Sequence, residues 1–546
     1  MTFDLIIRGG RVADGTGSPV RGADVGIAGG RIAAIGDLAA ASAPREIDAS
    51  GSVVAPGFID VHAHSDAYLL IEPDAPSKLA QGVTTEVNGQ CGGSAVPRLG
   101  QARLSSDWAS QTYPSHTSQG VRISPAPGPT WSTVADYRAL FDAVRPAINT
   151  VQFIGHNTLR SGVMGYEPRA ATPDEVREMQ RRLEQALDEG GWGLSTGLLY
   201  QPGKYAAGEE VTALARTAAA KGGMYATHMR SEGDQLLESI GDVLRLSRAT
   251  GIQAQISHLK TSGKANWHKV DAALALLNAA RAEGVNVQAD RYPYTAAGTD
   301  LDVVLPDWAS AGGRDAILAN LREPETRKRI EDELNGEARD WATVMIGGGW
   351  SEDVRAFSGR TVAEAAGVLG LTPGATVCRF IDLDDTRTGA FFFGMCEANL
   401  RRIYGEPWIM PGSDASVRAP WGPLGKDHPH PRAYGTMPRY LRLMTGRVEG
   451  FAKLCGFEEA VRRMTSLPAQ TFGIRDRGVL KAGAYADITV FDEAAFCDTA
   501  TYAQPHQFAT GMRQVIVNGA VSFDSGRFTG ERRGQFLERG TRHEST

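Results

Sequence analysis

Two histidines one residue apart, His62 and His64, mark the part of the chain best suited to chemistry. They lie in a largely apolar run of the kind that forms a strand buried on both faces. Alternate side chains of a strand share a face, so we expect Asp60, His62 and His64 to point the same way. Buried histidines need a partner, and neutral imidazole is a common ligand of zinc and related metals.

Four more residues with metal-binding side chains follow apolar segments later in the chain. Taken alone, Cys91 could be a small buried hydrophobe, and His228 or His258 could be a structural histidine. The two histidines recur one strand-helix unit apart, however, and Asp414 again follows an apolar strand. A mixed set of nitrogen, sulfur and oxygen donors suits zinc. The predicted metal ligands are His62, His64, Cys91, His228, His258 and Asp414.

Strand and helix patterns alternate between about residues 56 and 475. Helical patterns run from Pro173 to about Glu189, from about Glu209 to Lys221 and from Val270 to Ala282, and a short strand follows each. A helix and then a strand about every 30 residues is the period of βαβ units and predicts an α/β fold with a closed parallel sheet. The candidate ligands stand at the C-terminal ends of the strands, which form the catalytic face of a barrel.

The two chain ends differ from this central body. Residues 1–55 and about 476–530 contain short apolar runs cut by turn signals, which we expect to pair into one small discontinuous β domain. Two regions interrupt the barrel rhythm: a long loop at about 98–134, rich in Ser, Thr and Pro, and an insertion at about 307–390 with helical charge patterns. A long loop at the strand ends is suited to act as a lid. Residues 531–546 remain as a C-terminal tail.

Composition is ordinary for a soluble enzyme. The 546 residues carry a net charge of -6, with 42% hydrophobic and 22% charged residues. Nothing in the charge pattern favours nucleic acid or an anionic membrane. The sequence also lacks a signal-peptide pattern and a run of about 18 apolar residues. Five scattered cysteines do not make a disulfide framework. We therefore expect a cytoplasmic protein with a small-molecule substrate, whose oligomeric state the sequence leaves open.

A set of motifs, in consistent order from about residue 3 to about 525, is specific as a group. Among them are Gly57-Phe-Ile-Asp-Val-His-Ala-His-Ser-Asp66, Gly89-Gln-Cys-Gly92, Thr227-His-Met-Arg230, Ser257-His-Leu-Lys260, Tyr292-Pro-Tyr294, Gly412-Ser-Asp414 and His430-Pro-Arg432. With these motifs the chain resembles the D-aminoacylase (N-acyl-D-amino-acid deacylase) family of the amidohydrolase superfamily. The resemblance implies a metal-dependent (β/α)8 TIM-like barrel with a small β-sandwich built from both chain ends.

The resemblance also implies how the ligands divide between two metal positions. A tightly held zinc ion would take Cys91, His228 and His258. A weaker second site would use the remaining three predicted ligands, which are His62, His64 and Asp414. Other branches of the superfamily carry a carbamylated lysine as a bridge between metals, and the Cys91 thiolate would fill that place here.

Hydrolysis of N-acyl-D-amino acids is the activity that the resemblance implies. Zinc lowers the pKa of bound water to about 7, which yields a metal-bound hydroxide, and it polarises the carbonyl that this hydroxide attacks. Asp414 would act as general base and then as general acid toward the leaving nitrogen. The substrate carboxylate needs a basic clamp, for which the candidates are Lys260, Arg432 and the Tyr292 hydroxyl.

Two other functions fit parts of the pattern. A cyclic amide hydrolase resembling dihydropyrimidinase or hydantoinase predicts a bridging lysine and no carboxylate clamp. A catalytically inactive barrel used as a scaffold predicts eroded ligands, whereas all six are present.

Asp300 and Asp302 follow Tyr294 on a loop that departs from the family pattern. If either faces the substrate, we expect substrates with neutral side chains to be preferred over acidic ones.

Overall fold

Eight parallel strands form the central barrel of the computed structural model, which describes residues 2–103, 131–336 and 338–539. The third strand is bent at Phe153 and counts as two segments. The barrel strands are Phe58–Asp60, Val83–Asn88, Asn149–Gln152 with Ile154–Gly155, Gly193–Gly197, Met224–His228, Ala254–Ile256, Val287–Arg291 and Ile409–Pro411. Neighbours along this order are hydrogen-bonded within two sheets of three and six strands. The predicted (β/α)8 barrel is confirmed.

Helices alternate with the barrel strands along the chain, as the periodicity predicted. The helix Pro173–Asp188 shows why the prediction was accurate, since its start is encoded locally. Thr172 accepts a hydrogen bond from the Glu175 amide, the Glu175 carboxylate accepts one from the Thr172 amide, and proline occupies the first turn. The helices of this part of the chain are Tyr68–Ile71, Pro76–Leu79, Val134–Val144, His156–Met164, Pro173–Asp188, Gly208–Ala220, Leu236–Thr250, Val270–Ala282, Glu397–Tyr404, Arg432–Met444, Phe457–Met464 and Ser466–Phe472.

The first barrel strand is shorter than the sequence suggested. It ends at Asp60, so His62 and His64 lie beyond it and not on a continuous strand face. The Asp60 carboxylate binds the Lys78 ammonium through Oδ2 and accepts the backbone amides of Ser413 and His62 through Oδ1, and within the described part of the chain it makes no hydrogen bond to either imidazole ring. The expectation that Asp60 shares their face is therefore wrong, because strand alternation ends where the pairing with the second strand ends.

Both chain ends contribute to one nine-stranded sheet, which confirms the discontinuous β domain. Its strands are Leu5–Val12, Arg21–Ala28, Arg31–Gly36, Arg45–Asp48, Val53–Pro56, Ile488–Phe491, Met512–Val517, Ala520–Asp524 and Arg527–Phe528. The two ends join where Val53–Pro56 pairs antiparallel with Ile488–Phe491. Apolar side chains from both ends, such as Ile7, Val25 and Ile516, are fully buried in its core. The chain therefore enters the barrel directly from this domain.

An insertion between the seventh and eighth barrel strands has a core of its own. Three antiparallel strands, Ala297–Asp300, Gly389–Phe392 and Val344–Ile346, form its sheet. Its helices are Asp307–Ser310, Arg314–Arg322, Pro324–Gly336, Glu352–Arg355, Val362–Leu369 and Pro373–Leu383. Most of the predicted loop at 98–134 lies outside the described residues, as does the end of the predicted tail.

The described part of the C-terminal tail, residues 531–539, packs against the barrel. Thr150 donates its amide to the Gln535 carbonyl and accepts a hydrogen bond from the Leu537 amide, which joins the segment to the third barrel strand. Phe536 is buried, and its ring lies 6.2 Å from that of Tyr137 and 6.1 Å from that of Phe141. The segment thus covers apolar surface at the base of the barrel.

Phe536→Ala is expected to destabilise the fold without impairing the catalytic face. Truncating a buried phenylalanine costs about 3–5 kcal/mol of unfolding free energy, because it removes apolar burial and leaves a cavity. Urea unfolding followed by circular dichroism measures this loss. Val368→Ala is the control, since Val368 is 63% exposed and its truncation should change the free energy by about 0.5 kcal/mol or less. Equal stability of the two variants would contradict a packing role for Phe536.

Candidate metal centre

All six predicted ligands lie at or just beyond the C-terminal ends of barrel strands. His228 is the last residue of its strand, His258 follows Ala254–Ile256, and Asp414 follows Ile409–Pro411. Cys91 comes shortly after the second strand, as His62 and His64 do after the first. Strand ends of a closed parallel sheet converge on one rim, so residues far apart in sequence become neighbours.

Four of these residues form a tight donor cluster. The Cys91 sulfur lies 3.3 Å from His62 Nε2 and 3.4 Å from His258 Nε2. The Asp414 Oδ1 lies 3.3 Å from His62 Nε2 and 3.0 Å from His64 Nε2. One donor atom from each of His62, Cys91, His258 and Asp414 lies within 4.8 Å of the others. His62 therefore stands between the thiol and the carboxylate.

His228 completes the arrangement from the fifth strand. It is buried, and within the described part of the chain neither of its ring nitrogens makes a hydrogen bond, although Nε2 lies 3.5 Å from Glu232 Oε2. Its ring centre lies 4.5 Å from that of His258. A buried imidazole with free ring nitrogens, close to a carboxylate and a second imidazole, is in the environment expected of a metal ligand. The donor set therefore fits a zinc-type metal ion.

The charges of the cluster favour anionic ligand forms of the thiol and the carboxylate. Burial alone would raise the pKa of the Cys91 thiol, but His62 and His258 hold it well below its ordinary value. Burial would likewise raise the pKa of Asp414, but Arg432, with His258 and His62, holds it well below its usual range. A thiolate and a carboxylate are the forms of these groups that bind a metal.

Three of the predicted ligands have an unusual backbone conformation. Cys91, His258 and Asp414 have φ angles of 53°, 38° and 52°. Residues other than glycine rarely occupy this left-handed region, and such strain is concentrated at functional sites. The chain thus turns sharply at each of these positions, immediately after a strand.

Two buried carboxylates hold the imidazoles in place from behind. Asp290 Oδ1 lies 3.1 Å from His62 Nδ1 and accepts the His258 amide at 2.8 Å. Glu232 Oε1 lies 2.8 Å from His258 Nδ1. Carboxylates that bind the outer ring nitrogen fix the orientation of a ligating histidine. Glu232 was missed from the sequence, since it stands four residues after His228 in a connecting loop.

The three candidates for binding the substrate carboxylate line one wall of the site. Lys260 is buried, and its ammonium lies 2.5 Å from Glu232 Oε1. Arg432 is also buried; its Nη1 donates to Asp414 Oδ2 at 2.7 Å, and its Nε has no hydrogen-bond partner among the described residues. Within the same set, the buried Tyr292 hydroxyl also makes no hydrogen bond. Burial would raise the pKa of Tyr292, but Lys260, Arg291 and Arg432 lower it.

The donor cluster opens into a cavity of about 1480 Å³ between the barrel rim and the insertion. Asp300 lines this cavity, whereas Asp302 does not. Asp300 is exposed at the cavity wall, and the surrounding protein together with the nearby Asp427 raises its pKa to about 6. The candidate residues that line the cavity are His64, Cys91, His228, His258, Lys260, Tyr292, Asp414 and Arg432.

Comparison with known proteins places this site in a family. The sequence profile of the amidohydrolase family matches residues 45–298 and 406–523. The chain belongs to the amidohydrolase family. The gap in the match, 299–405, covers most of the insertion. The rim that carries the ligands is thus the part shared with the family.

Full-length relatives narrow the family to its D-aminoacylase branch. An N-acyl-D-glutamate deacylase of Alcaligenes xylosoxydans xylosoxydans is 38% identical over 95% of this chain and 94% of its own. A D-aminoacylase of the same organism is 36% identical over 98% of both chains. The structure of a Bordetella bronchiseptica N-acyl-D-glutamate deacylase, complexed with zinc and a phosphonate inhibitor, has a TM-score of 0.80 at 36% identity. It covers 99% of this chain and 100% of its own. The resemblance stated from the motifs is confirmed.

Among the described residues, no helix has the length and apolar character needed to cross a membrane.

Proposed function

We propose that this enzyme hydrolyses the amide bond of N-acyl-D-amino acids, with zinc as its metal, to give a D-amino acid and a carboxylate. The observation that carries the proposal is the cluster of thiolate, imidazoles and carboxylate, which opens into a cavity beside the buried cations Lys260 and Arg432. The D-aminoacylase branch, whose members act on linear amides, supports the same reaction.

Cys91, His228 and His258 would hold the tightly bound zinc ion, with a weaker position at His62, His64 and Asp414. When bound, zinc lowers the pKa of a water molecule and polarises the substrate carbonyl. The Cys91 sulfur is adjacent to both positions, since it lies 3.4 Å from His258 Nε2 of the first set and 3.3 Å from His62 Nε2 of the second.

Asp414 is proposed as the group that moves protons. Its low pKa keeps it ionised, so Oδ1 can accept the proton of the attacking water while Oδ2 remains bound to Arg432. The same oxygen would then return the proton to the departing nitrogen. Because the carboxylate is buried between Arg432 and two imidazoles, its direction is fixed before substrate arrives.

Lys260, Arg432 and Tyr292 are proposed to bind the substrate carboxylate. Their polar groups lie on one side of the donor cluster, and the Arg432 guanidinium lies 4.7 Å from the Tyr292 ring centre. Arg432 Nε and the Tyr292 hydroxyl make no hydrogen bond to any residue that the structure describes, so both are donors available at this wall. A clamp fixed at this position would bring the carbonyl of one enantiomer to the metal, and the names of the relatives indicate the D form.

A cyclic amide hydrolase is the second candidate, and the site argues against it. Of the lysines that the structure describes near the cluster, Lys260 is paired with Glu232, and Lys78 is paired with Asp60 and Glu86 below the rim. Neither ammonium is placed as a bridge between metals, and Cys91 occupies the centre of the donor set. An inactive scaffold is disfavoured because all six ligand positions retain donor side chains.

Substrate preference is expected to favour N-acetyl-D-amino acids with neutral side chains over N-acetyl-D-glutamate and N-acetyl-D-aspartate. At pH 7.5 the Asp300 carboxylate, with its pKa of about 6, is mostly ionised. It would repel a substrate carboxylate about 4 Å away by roughly 1–4 kcal/mol. The measurement is kcat/KM over a matched panel of D and L substrates, with metal analysis of the purified enzyme.

Two variants locate the origin of this preference. Asp300→Asn should raise kcat/KM for the acidic D substrates relative to the neutral ones. Asp302→Asn should leave that ratio nearly unchanged, because Asp302 does not line the cavity. A clear preference of the wild type for acidic D substrates would contradict the role of Asp300. Activity on the L series alone would contradict the proposed function itself.

A further inference from the structure

The first and last strands of the barrel meet at a seam with few backbone hydrogen bonds. Phe58–Asp60 pairs with the second strand and Ile409–Pro411 with the seventh, but the described sheets contain no ladder between them. Just beyond the strand ends, an isolated bridge joins Ala63 to Ala415, and the Asp414 amide donates to the His62 carbonyl at 2.8 Å. Two proposed ligands, His62 and Asp414, thus flank this seam.

A buried ammonium fills the seam immediately below these ligands. Lys78 projects from the short helix Pro76–Leu79, and its side chain is fully buried. Its Nζ lies 2.8 Å from Asp60 Oδ2 and 2.7 Å from Glu86 Oε1, which belong to the first and second strands. It also donates to Ser413 Oγ at 2.9 Å and to the Ala415 carbonyl at 3.0 Å. One cation therefore contacts the first two barrel strands and the segment that follows the last strand.

The contacts of Lys78 converge on the backbone that carries the ligands. Ser413 and Ala415 stand on either side of Asp414, whose φ of 52° requires support from its surroundings. Asp60, held by Lys78, accepts hydrogen bonds through Oδ1 from the amides of Ser413 at 2.8 Å and His62 at 3.3 Å. Lys78 and Asp60 together link the chain before His62 to the chain on both sides of Asp414.

Stability alone does not account for this cluster. Burying one ammonium with two carboxylates incurs a desolvation penalty, and well-packed apolar residues of similar volume often stabilise a protein as well or better. A buried charge cluster does, however, impose one geometry, because each donor and acceptor is satisfied only in that arrangement. Its position below His62 and Asp414 makes that geometry useful to the site.

We propose that Lys78 is a positioning residue, which fixes the distance and orientation between His62 and Asp414 across the barrel seam. This inference rests on the proposed function for the role of Asp414 in proton transfer. Lys78 itself lies below the rim and touches neither the cavity nor the donor atoms of the cluster. Its loss should therefore change how well the site is assembled, and not how the substrate is bound.

Lys78→Met tests the inference, with Lys78→Arg and Ser413→Ala as milder variants that retain most of the buried contacts. We expect kcat to fall at least about 10-fold while KM stays within about twofold. Zinc affinity, measured by competition with a chelator, should fall by about 10–100-fold, the range seen when groups that orient metal ligands are removed. If Lys78→Met does not fold, the two milder variants give the same readouts with smaller effects.

Arg477→Met is the matched control. Arg477 is another buried cation. It is paired with Asp487 and also donates to Gln535, and neither of these residues belongs to the metal cluster. Its loss should lower Tm but leave kcat and zinc affinity unchanged. The inference is overturned if Lys78→Arg and Ser413→Ala both keep wild-type kcat and zinc affinity, or if Arg477→Met lowers them as much as Lys78→Met. Chelator competition needs no substrate, so the zinc affinities of the variants can be compared even if the proposed substrate class is wrong.

Discussion

Cys91→Ala is expected to remove tightly bound zinc and catalytic activity together. The Cys91 sulfur is the donor atom that lies between His62 and His258. Removing residues that merely orient a metal ligand already costs about 10–100-fold in affinity, so losing the ligand itself should cost more. Metal analysis after dialysis and turnover of N-acetyl-D-amino acids measure both effects.

Two comparisons make this result specific. His258→Ala should give the same joint loss, because its imidazole is proposed to bind the same ion. Cys455→Ala is the control, since Cys455 is another half-buried free thiol and belongs to neither the cluster nor the cavity. Full metal content and wild-type turnover in purified Cys91→Ala would show that the ligand assignment is wrong.

Asp414→Asn is expected to lower kcat by about 10²–10⁴-fold, the contribution typical of a general acid or base. The amide side chain keeps the shape of the carboxylate and one oxygen toward Arg432 or the imidazoles, so folding should be preserved. It cannot accept a proton from water at neutral pH. Most of the tightly bound metal should remain, because Cys91, His228 and His258 are unchanged.

Asp498→Asn controls for the loss of an arginine-paired carboxylate. Asp498 lies 3.2 Å from Arg439, and its side chain is 12% exposed, compared with 11% for Asp414. The two substitutions thus remove similar ion pairs, of which only one belongs to the site. Steady-state kinetics and metal analysis of both variants separate catalysis from structure. Near-normal turnover of Asp414→Asn would remove this residue from the mechanism.

Local sequence signals determined most of the architecture. The helix predicted from Val270 to Ala282 has those bounds in the structure, because apolar periodicity and termini are properties of neighbouring residues. The same holds for the order of strands and for the position of the ligands at strand ends. Residue types known to bind metals could therefore be picked out before any contact was known.

Strand alternation was a less reliable guide beyond the end of a strand. It placed Asp60 on the face of His62 and His64, whereas the Asp60 carboxylate turns to Lys78. The direction of a side chain in a loop depends on backbone angles that no short-range pattern specifies, such as the φ of 38° at His258. The missed role of Glu232 has the same cause, since its partners stand on another strand.

By itself, the sequence determined the fold class, the family and the identity of the candidate ligands. Only the tertiary structure decided which donors are neighbours: His62 lies 3.3 Å from both the Cys91 sulfur and Asp414 Oδ1, although 352 residue positions separate the first and last of these. Closing the barrel brings its first and last strands together, so the contacts across the seam at Lys78 exist only in the folded chain. Periodicity is local and can be recognised in one segment, whereas a contact between distant segments depends on the packing of everything between them.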